Sequence, residues 1–80
     1  MELGKAIAVR IAYLCRKKSL SINKLSIQCG LRQSTVSNIL NGTSKNPTIT
    51  SIGKICYGLD ISLSEFFDDA IFRFHNEGDN

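Results

Sequence analysis

Residues 21–42 read SINKLSIQCGLRQSTVSNILNG, and this stretch decides the fold. Ser21 is a good N-cap, because its hydroxyl can accept a backbone N–H of the first turn. Ile22, Leu25 and Cys29 then recur at helical spacing. Gly30 ends the pattern with a residue that takes the left-handed C′ conformation without a Cβ clash. A second helical pattern follows from about Arg32 to Asn41, with Val36, Ile39 and Leu40 on one arc, and Gly42 stops it. Two helices of about eight residues joined by a glycine turn form a helix-turn-helix in outline. Its geometry needs a small residue where the helices cross, and Ser26 stands there. It also needs apolar residues that set the crossing angle, and Leu25, Leu31, Val36 and Ile39 supply them.

Outward from this unit the chain reads as further short helices. The first spans about Leu3 to Lys17, with Leu3, Ile7, Ile11 and Leu14 inside an arc of about 80°. Arg10 and Cys15 flank that arc, and Arg16, Lys17 and Lys18 suit the negative end of the helix dipole. The polar stretch from Gly42 to Thr48 contains the sole proline, Pro47, and reads as the longest loop. Pro47 or Thr48 opens a fourth helix, where Ile49, Ile52, Ile55, Cys56 and Leu59 share an arc of about 120°. Gly53 and Gly58 weaken it by roughly 1 kcal/mol each if interior. Gly53 marks either a close helix approach or a tolerated cost. Asp60 is suited to a left-handed turn. Ser62-Leu63-Ser64-Glu65 is a capping box, with Ile61 and Phe66 placed as a hydrophobic staple. A fifth helix therefore starts at Leu63; it stops near Asp69 or continues to about Phe74, and periodicity does not decide. The expected fold is all-α, a compact five-helix helix-turn-helix domain over residues 1–69, with the helix-turn-helix at 21–41 and an extension at 70–80. Ala70, Ile71, Phe72 and Phe74 are too apolar for a free tail, so this extension packs on the core or forms a dimer contact.

Composition sets limits. Eighty residues, 42% of them hydrophobic, hold one small core. No apolar run approaches the eighteen or so residues of a membrane span, and no signal-peptide stretch opens the chain, so a soluble cytoplasmic protein is expected. Residues 1–59 carry nine Lys and Arg against one acid, Glu2, a net of +8. Residues 60–80 carry Arg73 against six acids, a net of −5. The basic part suits a polyanion, with nucleic acid the first candidate, although a solvated surface of skewed charge gives the same count. Cys15, Cys29 and Cys56 are too widely spaced for a zinc knuckle and odd in number for a disulfide framework; they read as core residues. The single histidine, His75, has no nucleophile paired with it in the pattern. Asp68 and Asp69 are adjacent on a helix and point about 100° apart. Neither arrangement suggests an enzyme, and no cofactor or metal is implied.

The third helix carries the functional signal. Opposite Val36 lie Ser34, Ser37, Asn38 and Asn41, and Gln33 flanks the N-terminal tip. No acid occurs between Glu2 and Asp60 to repel a phosphate. Gln and Asn can bond adenine N6 and N7 bidentately, and Ser pairs with donors or acceptors on base edges. Lys and Glu would be the ordinary choice for a merely solvated helix face. Gln33, Ser34, Ser37 and Asn38 are therefore the candidate base-reading residues. Thr43, Ser44, Lys45 and Asn46 in the following loop, Arg32 at the start of the helix, and Ser21 and Asn23 at the tip of the second helix are the candidate backbone contacts. Lys24 and Lys54 read as solvated.

These residues resemble the Cro and phage-repressor (XRE-type) helix-turn-helix family. The resemblance spans about Ile7 to Phe67. It rests on Leu25-Ser26, Gly30-Leu31, the run from Gln33 to Ile39, Asn41-Gly42, Asn46-Pro47-Thr48, Ile55, Leu59, Ile61-Ser62 and Glu65-Phe66. It implies a five-helix DNA-binding domain in which Gln33, Ser34 and Asn38 occupy base-reading positions and Thr43 and Lys45 a phosphate-contacting loop. The family commonly has Ala where Ser26 stands. It often has an Arg at the position of Cys15 paired with a Glu at that of Leu40; here packing replaces that ion pair. The expected function is a sequence-specific double-stranded DNA-binding transcriptional regulator, a repressor, acting as a homodimer on a pseudo-palindromic operator. The alternative is an antitoxin-like interaction module that docks a protein partner through its acidic, aromatic end from Asp60 to Asn80.

Overall fold

In a computed structural model of the chain, which describes residues 2–73, five α-helices follow one another: α1 Leu3–Lys17, α2 Ile22–Cys29, α3 Gln33–Leu40, α4 Ile49–Leu59 and α5 Leu63–Phe67. A 3-10 turn, Ala70–Arg73, closes the described chain, and no strand occurs among the described residues.

The helix ends follow local side-chain chemistry. Ser21 Oγ accepts the Lys24 N–H at 3.1 Å, and Thr48 Oγ1 accepts the Ser51 N–H at 3.0 Å. Ser62 Oγ accepts the Glu65 N–H at 3.0 Å while Glu65 Oε1 accepts the Ser62 N–H at 3.3 Å, so the capping box is complete. Thr48, rather than Pro47, is the cap of α4. Gly30 and Asp60 end α2 and α4 in the left-handed region, at φ 72° and 60°. α3 is one residue shorter at each end than the sequence pattern, because Arg32 is extended and Asn41 has left the helix as its C-cap. α5 ends at Phe67, and the 3-10 turn takes up the apolar residues that follow.

One core joins all five helices. Ile11, Leu25, Val36, Ile55 and Phe66 have no exposed surface, and Leu59 and Ile39 almost none. Cys15, Cys29 and Cys56 are free thiols buried within it. Leu3 and Ile49 depart from expectation: they lie on the apolar arcs yet are 46% and 62% exposed. Ile22 and Leu63 are exposed as well, and all four are the first residues of their helices. A helical Cβ tilts toward the N-terminus, so a first residue projects past the end of its helix while the buried face starts a turn later.

Two positions show how tightly the helices approach. A Cβ on Gly58 would lie 2.9 Å from Cys29 Cβ and 3.0 Å from its backbone nitrogen, so α4 and α2 nearly touch there. Gly53 has nothing within 4 Å of its missing Cβ, so the close approach lies one turn beyond it.

The end of the described chain is fastened to α1. Arg10 Nε donates to the Phe66 carbonyl at 2.8 Å, Nη2 to the Glu65 carbonyl at 2.9 Å, and Nη1 pairs with Asp69 at 3.2 Å. The Phe72 ring lies 4.9 Å from Phe67 and 5.9 Å from Phe66, half-buried against the core. Phe74 and His75, with the rest of 74–80, lie outside the described residues.

Candidate nucleic-acid interface

The helix-turn-helix is held from behind. Leu25 and Val36 are fully buried, Leu31 is half-buried against the core, and Ser26 is buried between them in sequence. The Ser26 hydroxyl donates to the Asn23 carbonyl at 2.8 Å, so this small side chain satisfies its own polar atom without leaving its helix. With its inner face fixed, α3 presents its other face to solvent. Gln33, Ser34 and Asn38 are exposed; Ser37, nearer the buried arc, is half-buried. Arg32 is exposed at the N-cap, with no side-chain cap bond of its own. No acid lies in the first turn of α2 or α3.

The loop after α3 is folded back onto that helix. Asn41 Oδ1 accepts the Thr43 N–H at 3.0 Å, and the Ser44 N–H donates to the Asn38 carbonyl at 3.0 Å. Gly42, at φ 81°, makes the turn that permits both. Thr43, Lys45 and Asn46 remain exposed, and Ser44 is half-buried. Thr43 and Ser44 are thus tied to the last turn of α3. Ser21 and Asn23 stand apart from them on the first turn of α2, both exposed, with the Ser21 hydroxyl oxygen engaged by the Lys24 N–H.

Asn41, placed on the exposed side of α3 by the sequence pattern but not among the candidate contacts, shapes the loop that carries several of them. Its neighbours carried the signal: an Asn before a Gly at a helix end, with a free N–H two residues on, is the pattern of an Asx turn. Among the described residues, no three His, Cys, Asp or Glu side chains gather where they could hold a metal ion, and no helix is long and apolar enough to cross a membrane.

The profile of the Cro/C1-type HTH DNA-binding domain matches residues 10–70, a span that includes α2, α3 and their loop. The chain belongs to the Cro/C1-type helix-turn-helix family. It is 38% identical over 60 residues to the HTH-type transcriptional regulator SlrR of Bacillus subtilis (strain 168), a match that covers 74% of this chain and 40% of that protein. The chain therefore spans well under half the length of that relative. Among solved structures it is similar to the prophage Lp1 protein 11, with a TM-score of 0.77 and 40% identity, over 86% of this chain and 92% of the other.

Proposed function

We propose that this Cro/C1-type domain binds double-stranded DNA in a sequence-specific way and regulates transcription, as a repressor that occupies its operator. The observation that carries this reading is the exposed face of α3. Gln33, Ser34 and Asn38 form a short-chained amide and hydroxyl surface on a rigidly backed helix, in a region of the chain whose net charge is +8. In this reading α3 lies in the major groove with its N-terminal end toward the bases, where Gln33 and Ser34 read first and Asn38, with Ser37 beside it, reads one turn on. Arg32, Thr43, Ser44, Lys45 and Asn46 hold the phosphate backbone, and the first turn of α2 at Ser21 and Asn23 offers backbone N–H groups to another phosphate. One such helix reads too few base pairs to be selective, so the operator is a pseudo-palindrome read by a homodimer.

The test is selection from a random duplex library with the purified chain at about 150 mM salt, where non-specific binding is weak. The expected product is an inverted repeat with half-sites about 10 bp apart. A folded protein that enriches no sequence refutes the base-reading role of α3.

A further inference from the structure

Gly4 is buried in the first turn of α1, at ordinary helical φ. Glycine there costs roughly 1 kcal/mol of helix propensity relative to alanine, and no left-handed backbone requires it. What requires it is space. A Cβ at Gly4 would collide with the carbonyl oxygen of Lys45 and lie 3.0 Å from its carbonyl carbon and 3.3 Å from its Cα. All three are backbone atoms, so no side-chain rotation relieves the clash. The Lys45 carbonyl therefore sits against the first turn of α1, where its partial negative charge faces the positive end of the helix.

The position matters because of how the α3–α4 loop is held. Its first half is fastened to α3 through the Thr43 and Ser44 N–H groups. From Lys45 to Pro47 no hydrogen bond is formed among the described residues. The second half rests instead on α1, in a cleft lined by Glu2, Leu3, Gly4 and Ile7 on one side and Lys45, Asn46 and Pro47 on the other. We propose that Gly4 is a positioning residue for DNA binding: its missing side chain seats the Lys45 backbone, and so sets where the exposed Lys45 ammonium meets the phosphate backbone. The inference rests on the proposed function and gives a part in the interface to a helix that holds none of the proposed DNA contacts. It makes the amino end of α1 a control point for affinity and not for sequence preference.

The test uses the full chain and the duplex selected above. Gly4→Ala is expected to weaken binding roughly fivefold near 150 mM salt, with a log–log salt slope shallower by about 0.9, the value of one phosphate contact. The loss should be equal on specific and mismatched duplexes. In a Lys45→Ala background, Gly4→Ala should have no further effect, because the contact it displaces is already gone. Gly53→Ala, which meets no neighbour, should bind as the wild type does. If Gly4→Ala folds poorly, the amide resonances of Gly4 and Lys5 in the wild-type chain give a second readout, and they should shift when duplex is added. Unchanged affinity in Gly4→Ala overturns the inference. So does a loss that adds in full to that of Lys45→Ala with the salt slope intact, and so do unmoved Gly4 and Lys5 resonances while those of α3 shift. A wild-type chain that binds no duplex overturns the DNA-binding reading itself, a failure visible before any variant is made.

Discussion

Gly58→Ala and Gly53→Ala make the same chemical change on one helix with opposite expected results. Alanine gains about 1 kcal/mol over glycine inside a helix. At Gly53 nothing opposes that gain, since no atom lies within 4 Å of the new Cβ. At Gly58 the methyl group would fall 2.9 Å from Cys29 Cβ, 3.0 Å from Cys29 N and 3.2 Å from Cys29 Cα. Overpacking of this kind costs about 1–3 kcal/mol, so Gly58→Ala should be destabilised by about 1 kcal/mol after the propensity gain. The two variants should differ by about 2 kcal/mol, or roughly 8–16 °C in Tm for a domain of this size. Thermal unfolding followed by far-ultraviolet circular dichroism reads the difference directly. Adding Cys29→Ala to Gly58→Ala should recover nothing, because alanine keeps the Cβ and the backbone that collide. If both glycine variants melt above the wild type, or the cysteine change restores stability, then α2 and α4 do not approach each other as closely as described.

Four other expectations follow. Arg10→Met should cost about 2–3 kcal/mol by urea unfolding, since it leaves the carbonyls of Glu65 and Phe66 without their charged donor. Asp69→Asn should cost under about 1 kcal/mol, because Asp69 is 38% exposed and its ion pair is screened; equal losses at the two positions would mean that the ion pair, and not the backbone clasp, holds α5. Gln33→Ala should lose about 1–3 kcal/mol of binding and relax preference at one base pair, whereas uniform weakening on every sequence would remove Gln33 from the base-reading set. The thiols give a pH dependence. Burial raises the pKa of Cys15, with the neighbouring Cys29 adding to it, and burial raises that of Cys56, both from the ordinary value of 9.0. The unfolded chain then releases protons first as pH rises, so stability is constant with respect to these groups below about pH 9 and falls above it. Unfolding midpoints measured from pH 7 to 10 should show that decline, and it should shrink in Cys15→Ala; a decline of the same size in that variant would assign it to other groups.

Local signals in the chain translated into structure because each involves residues that meet within one turn. Ser62 and Glu65 cap each other, Asp60 takes the left-handed position, and Gly30 ends α2, all through bonds or dihedral angles confined to neighbouring residues. The exposed face of α3 was legible for a related reason: once Val36 and Ile39 fix the buried arc of α3, helical geometry places Gln33, Ser34 and Asn38 away from it. What the sequence hid depends on partners far along the chain. Gly53 and Gly58 are equivalent as letters on one helix, and only the approach of Cys29 distinguishes them. Arg10 lies beside an apolar arc like any flanking cation, and its role appears when α5 brings two carbonyl groups to it across more than fifty residues. Gly4 and Lys45 are separated in the same way, by three helices of chain.

The long-range contacts also explain why α3 can carry short polar side chains at all. Gln, Ser and Asn bring no apolar anchor to α3, and its stretch from Gln33 to Leu40 is eight residues, below the length at which isolated helices hold in water. The helix must be made stable by its inner face and by its ends. Val36 and Ile39 bury the inner face, α1 and α2 pack against it, and the Asn41 turn draws the loop back onto its last carbonyls. The outer face is thereby released from any duty to the fold, and its side chains can be chosen for what they bond rather than for what they stabilise. It follows that Ser34 and Asn38 should tolerate exchange with little change in Tm, while Val36→Ala, which opens a cavity in the shared core, should cost about 2–3 kcal/mol. Substitutions at Ser34 or Asn38 that lowered stability as much as Val36→Ala would show that the outer face, too, is holding the helix in place.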